Sequence, residues 1–277
     1  MIAKAALSLA LLAGPADLTP EVRTTVENWF SALAQRQAGE SFGALSTRAA
    51  RLTLGTPYDD TPQRAGPERL VVRTDRLHCV SLVEYSDALA RCLWQDSPTA
   101  ECFATQVEQT RYRDGELSDY GSRLHYFVDW LADNDRRGRI KGVSEDLGAI
   151  SVTQPFYFMT RHPKSYPALS DPKSLEQISS AEKRLSTTEH FFVPRDRIAQ
   201  AQQQLREGDI LAFVTSKPGI LVTHTGYVHL DKNGVPRVLH ASSHNKRVVL
   251  SRGDVANYVL RRPERRGVIV ARPVPPT

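Results

Sequence analysis

The sequence predicts an α+β fold, with helices first and an antiparallel sheet after them. Three observations carry this. Apolar residues recur at helical spacing in several stretches before residue 207. Beyond residue 207 the pattern changes to short runs rich in β-branched residues: "DILAFV", "ILVTHTGYVHL", "VPRVLHAS", "RVVL" and "GVIVARP". Asp231-Lys232-Asn233-Gly234 lies between two of these runs and has the composition of a hairpin turn. Helices followed by a succession of strands fit a helical layer packed on one sheet.

Taken in order, "MIAKAALSLALLAGPA" reads as an export signal over residues 1–16. Lys4 supplies the positive start, Ala5 to Ala13 a short apolar run, and Gly14-Pro15-Ala16 a small-residue cleavage site. The alternative is an amphipathic first helix of the folded chain. Residues 17–53 form a helical segment, with Leu18, Val22, Val26, Phe30 and Leu33 on one face. "LGTPYDDTPQRAGPE" (54–68) is loop by its Gly, Pro and Asp content, and it opens a main domain expected over 54–277. "RLVVRTD" then reads as a short strand, with Thr74 and Asp75 as helix-capping residues. A helix follows from Leu77 to about Leu93, and another over Arg123–Arg137, stopped by Gly138. Between 151 and 194 the sequence predicts a strand at "QPFYFM", a Pro-rich loop, a helix near Leu175–Leu185, and a strand at "EHFFVP".

The chain has 277 residues, is 40% hydrophobic and carries a formal charge of +5. That length suffices for a substantial core. Lys and Arg are scattered rather than gathered with aromatic residues, which argues against a nucleic-acid partner. The densest basic stretch, Arg261 to Arg266, reads as a solvated turn before the last strand. After the first residues no apolar run approaches a membrane-spanning length. The expectation is an exported, periplasmic protein.

Export makes the three cysteines informative. They cannot all pair within one chain. Cys92 and Cys102 flank "LWQDSPTAE", with a turn at Asp96-Ser97-Pro98, and are either bridged or both buried and reduced. Cys79 stands at the start of a helix, where the dipole and free N–H groups favour a thiolate. The alternative is a small buried hydrophobe. A hairpin centred near Lys232 and Asn233 would set His224 across from His240 or its neighbour. One imidazole can then act as a base while the second orients it. His162, His190, His229 and His244 show no metal-ligand spacing, and no H-E-x-x-H or paired C-x-x-C occurs, so neither a metal nor a cofactor is expected.

The strings "GTPY", "LHCVSLVE", "SRLHYFVDWLADNDRRG", "FYFMTRHPKSYPAL", "GDILAFVT", "THTGYV" and "LHASS", in that order, resemble the NlpC-type, papain-like cell-wall cysteine hydrolases. Their N-acetylmuramoyl-L-alanine amidase-like branch is the nearest match, and the likeness runs from about Leu54 to Pro273. The resemblance implies a papain-like fold, with Cys79 as nucleophile, His224 as base and His240 as the orienting third member. It places Tyr58 beside the nucleophile and makes Ser122, Arg123, His125 and Tyr126 candidates for substrate binding. Members of this family usually carry Asp before the cysteine. His78 stands there instead, which leaves open how the helix start is capped and how acidic Cys79 is.

The implied activity is hydrolysis of an amide in peptidoglycan or its soluble muropeptides, at the bond joining the muramoyl group to L-Ala. The alternatives are a D-Glu–diamino acid endopeptidase of the same superfamily and a degenerate module that binds cell-wall fragments without cutting them. A secreted hydrolase aimed at rival cells is a further one. No protein partner is indicated.

Overall fold

The computed structural model describes residues 18–61 and 65–277, so the expected export signal over 1–16 lies outside the described residues. Helices α1 (Pro20–Leu33) and α2 (Phe42–Leu52) lead into α3 (Cys79–Trp94) and α4 (Ala100–Arg111), followed by α5 (Phe127–Arg136). Short strands β1 (Ile140–Gly142) and β2 (Ile150–Val152) precede α6 (Pro172–Thr187), β3 (His190–Pro194) and α7 (Ile198–Ala201). The chain closes with β4 (Ile210–Thr215), β5 (Val222–Leu230), β6 (Pro236–Ser242), β7 (Arg247–Asp254), α8 (Val255–Leu260) and β8 (Arg265–Pro273).

The strands form one antiparallel sheet in the order β2-β3-β8-β4-β5-β6-β7, with β1 also on β8. Strand β4 is buried along its whole length, because both faces of the sheet are covered. Ile210, Ala212 and Val214 face a large core shared with α1, α2 and α3. Leu211 and Phe213, on the other face, meet a smaller core closed by α7 and α8. The alternation follows from the two-residue repeat of a strand. The fold is therefore mixed helix and antiparallel sheet, as the sequence predicts. The N-terminal helices belong to the main core: Val26, Phe30, Leu45 and Ala49 pack in the same cluster as Leu82 and Leu89 of α3.

Three expectations are corrected. "RLVVRTD" is not a strand: side chains take its backbone groups, the Arg73 N–H donating to the Tyr85 hydroxyl at 3.0 Å and the Val71 carbonyl accepting from Arg111 at 2.8 Å. "QPFYFM" is an irregular segment leading into a turn, where the N–H groups of Tyr157 and Phe158 both find the Gly219 carbonyl. The helix expected from Arg123 begins at Phe127, because the Arg123 region bridges to Tyr112 instead. The two cysteines left open are joined: Cys92 and Cys102 form a disulfide tying the end of α3 to the start of α4, and Cys79 is free. Among the described residues no helix is long and apolar enough to cross a membrane, and no group of three or more His, Cys, Asp or Glu could hold a metal ion.

Candidate active site

Cys79 is the first residue of α3, and His78 is its N-cap. The His78 Nδ1 accepts from the Ser81 N–H at 3.1 Å, and the Ser81 hydroxyl accepts from the His78 N–H at 3.0 Å. This reciprocal capping box resolves the question raised by the missing Asp: His78 does the capping itself. It engages two of the four donors at the helix start and leaves the N–H groups of Cys79 and Val80 to act on the Cys79 sulfur. The backbone N–H of Thr225, next to His224, reaches the same sulfur from β5. Helix α3 is held on that strand by the Tyr227 hydroxyl, which donates to the Val83 carbonyl at 3.1 Å.

The thiolate expected at the helix start is not the resting form. Burial pushes the Cys79 thiol up, against three backbone N–H groups that would stabilise the anion. Burial likewise holds His224 well below the usual imidazole range, with His240 and the Arg265 guanidinium adding to the effect. His240 is lowered to about 4 by burial and then by Arg265. These directions favour a neutral thiol on Cys79 and neutral imidazoles on His224 and His240.

The two histidines meet, but not as directly opposed residues. The hairpin is centred on Asn233, so Leu230 pairs with Pro236 and Tyr227 with Leu239. This register brings Gly226 beside His240, and His224 is the diagonal neighbour on the same face. His224 Nε2 nevertheless lies 2.8 Å from His240 Nδ1, with the rings perpendicular. Gly226 makes the reach possible. A Cβ there would stand 2.6 Å from the Leu239 carbonyl oxygen and 2.9 Å from the His240 Cβ.

Further side chains wall the pair. Phe213 stacks on His224 at 5.8 Å, and Tyr258 of α8 lies edge-on to His240 at 5.0 Å. The Arg265 guanidinium sits 3.8 Å over the Tyr258 ring and donates to the Tyr258 carbonyl. Gly226, Tyr258 and Arg265 were not singled out from the sequence. Arg265 was hidden inside the basic run read as a solvated turn. The glycine of "THTGYV" was the one available signal.

Tyr58 lies close enough to Cys79 to feel its charge. Its backbone bridges Leu77, and burial, then the proximity of Cys79, pushes its phenol up to about 12. Arg123 lines a cavity of about 560 Å³ that also borders His78, Arg111 and Tyr120. Cys79, His224 and His240 do not line it. The rest of the "SRLHYF" string does not reach this cavity. The Ser122 hydroxyl donates to the Asp119 carbonyl at 2.6 Å within a tight turn. His125 Nε2 bonds the Tyr120 carbonyl at 2.8 Å, and burial, then Arg123, lowers that ring to about 3. The buried Tyr126 hydroxyl donates to Glu182 at 2.6 Å and receives the Met159 N–H. These three act as a frame that presents Arg123 and Tyr120.

The model of the AmiA-like family, described as N-acetylmuramoyl-L-alanine amidase-like, matches residues 48–268. A solved N-acetylmuramoyl-L-alanine amidase from Bacteroides uniformis is 28% identical over 84% of this chain and 98% of its own, with a TM-score of 0.77. A Bacteroides fragilis protein provisionally described as a xylanase is 31% identical over 80% of this chain and 98% of its own, with a TM-score of 0.74. A Legionella pneumophila protein at 16% identity, covering 92% of this chain and 95% of its own with a TM-score of 0.69, shares the fold. Among curated proteins none matches the chain.

Proposed function

Because the chain belongs to the AmiA-like, N-acetylmuramoyl-L-alanine amidase-like family, we propose that it is an exported cysteine amidase. Its substrate is peptidoglycan or a soluble muropeptide, and the bond cut joins the muramoyl lactyl carbonyl to L-Ala. The observation that carries this reading is that His224, hydrogen-bonded to His240 of β6, lies on β5 next to Thr225, whose N–H acts on the Cys79 sulfur.

The chemistry follows from the tautomers. For His224 to accept a proton at Nδ1, its Nε2 must carry hydrogen and donate to His240 Nδ1. His240, kept neutral by burial and Arg265, is able to accept. The Cys79 sulfur attacks the lactyl carbonyl carbon while its proton passes to His224 Nδ1. The oxyanion forms against the N–H groups of Cys79 and Val80, which turn from the sulfur to it. Collapse breaks the C–N bond, and His224 returns the proton to the leaving amine of L-Ala. A water, deprotonated by His224, then cleaves the thioester, releasing the muramoyl acid and the free thiol.

The test is product analysis by mass spectrometry on a defined N-acetylmuramoyl tripeptide. Release of the intact tripeptide and the free sugar acid is the expected outcome. Cleavage within the stem would replace this reading with the endopeptidase, and an unchanged substrate would favour a binding module.

A further inference from the structure

The cavity beside the nucleophile contains a group whose role the capping geometry settles only in part. His78 accepts the Ser81 N–H at Nδ1, 3.1 Å away, so in the capped state its ring hydrogen sits on Nε2. No described residue bonds that Nε2, and His78 lines the 560 Å³ cavity. The residue that caps the nucleophile's helix therefore also offers a hydrogen-bond donor one position from the sulfur.

The surroundings state which acceptor fits. Among the described residues, five guanidiniums line the cavity against two carboxylates, Asp59 and Glu68, which makes it favourable to an anion. Both guanidiniums that act on His78 belong to this wall. Arg111 is held by the buried Glu84 at 2.7 Å and by the Val71 carbonyl at 2.8 Å, so it is committed. Arg123 is not. Among the described residues its one side-chain partner is Glu68 at 3.5 Å, and that carboxylate oxygen already takes the Tyr112 hydroxyl at 2.7 Å. Asp59 accepts the Thr61 N–H at 3.0 Å within its own loop. A neutral N–H and an under-used guanidinium thus face one space, a donor set suited to a carboxylate.

We propose that His78 and Arg123 form a carboxylate subsite, and that it reads the free α-carboxylate of the second stem residue, D-Glu, on the leaving side of the scissile bond. The assignment of that carboxylate rests on the amidase reading given above. The subsite itself rests on the cavity. In this reading His78 has two roles, fixing the helix start through Nδ1 and the substrate through Nε2.

The two roles separate by substitution. Serine is a strong N-cap without charge and too short to reach the cavity. Binding of N-acetylmuramoyl-L-Ala-D-Glu and of its α-amide to Cys79→Ala would be measured by calorimetry, alone and with His78→Ser or Arg123→Met. The acid should bind about tenfold tighter than the amide, the gain expected of one charge-assisted hydrogen bond. His78→Ser and Arg123→Met should each erase most of that preference, with the melting temperature of His78→Ser unchanged. Equal binding of acid and amide to Cys79→Ala, no binding of either, or a full preference retained in His78→Ser overturns the subsite. Turnover of the same pair by the wild type is a separate readout. A preserved binding preference without any cleavage would sink the amidase reading and leave the subsite standing.

Discussion

His224 and His240 are joined at 2.8 Å although the strand register brings Gly226, not His224, beside His240. The pair exists because one position between them lacks a side chain. Gly226→Ala would drive a Cβ to 2.6 Å from a backbone oxygen, so the hairpin must shift. The expected outcome is loss of most activity with destabilisation of about 1–3 kcal/mol, the usual range for overpacking. Urea unfolding and turnover on a muropeptide check it; a fully active Gly226→Ala would show that the diagonal contact is dispensable.

Arg265 should set the acid side of the pH–rate profile. Burial is the larger cause lowering His240, and the Arg265 charge adds to it. Arg265→Met keeps the stem over the Tyr258 ring but removes the charge, so His240 should protonate at higher pH. A protonated His240 donates at Nδ1 and forces His224 into the tautomer that cannot accept from the thiol. The acid limb of kcat/KM should therefore move to higher pH in Arg265→Met and stay in place in Arg265→Lys. Identical limbs in all three proteins would remove Arg265 from the account.

Stability should fall with acid before the carboxylates titrate. In the folded chain His78 and His240 are lowered to about 4 and His125 to about 3, from an ordinary value of 6.5, in each case chiefly by burial. Between pH 6.5 and 4 the unfolded chain binds protons that the folded chain refuses, so stability rises with pH across that window. Each of the three contributes up to about 1.4 kcal/mol per pH unit. Denaturant midpoints at pH 6.5, 5.5 and 4.5 check this, and a flat profile would contradict the buried neutral state of these rings.

The cysteines should divide two to one. Native protein should show one titratable thiol, Cys79, and two more after reduction and unfolding. The bridge closes a loop with a sequence separation of 10, so Cys92→Ala with Cys102→Ala should cost about 2–3 kcal/mol by loop entropy. Urea unfolding of this double variant gives the loss, and a native count of three thiols would contradict the pairing.

The sheet was legible in the sequence because β4 to β8 carry β-branched, apolar runs between clear turns. Helix α2 was legible only as part of the helical segment over 17–53, and α4 was not legible at all. In α2 the buried face includes Ser46 and Thr47, whose hydroxyls donate to helix carbonyls at 2.9 Å, so the apolar period is broken. "RLVVRTD" misled for the opposite reason: its composition suits a strand, but side chains take its backbone groups instead. The place of Cys79 at a helix start and the closeness of His224 to His240 were readable from helix start and hairpin. The Tyr258–Arg265 wall was not, since it is assembled by the packing of α8 and the start of β8 against the sheet.

The central claim is that the Cys79 sulfur performs the cleavage, served by the histidine pair. The most direct test is the turnover rate of Cys79→Ala beside wild type on a defined N-acetylmuramoyl tripeptide, with matched circular dichroism. A loss of at least ~10³-fold is expected, the scale seen when a nucleophile is removed. A folded Cys79→Ala that still releases the tripeptide at a rate near wild type would contradict it.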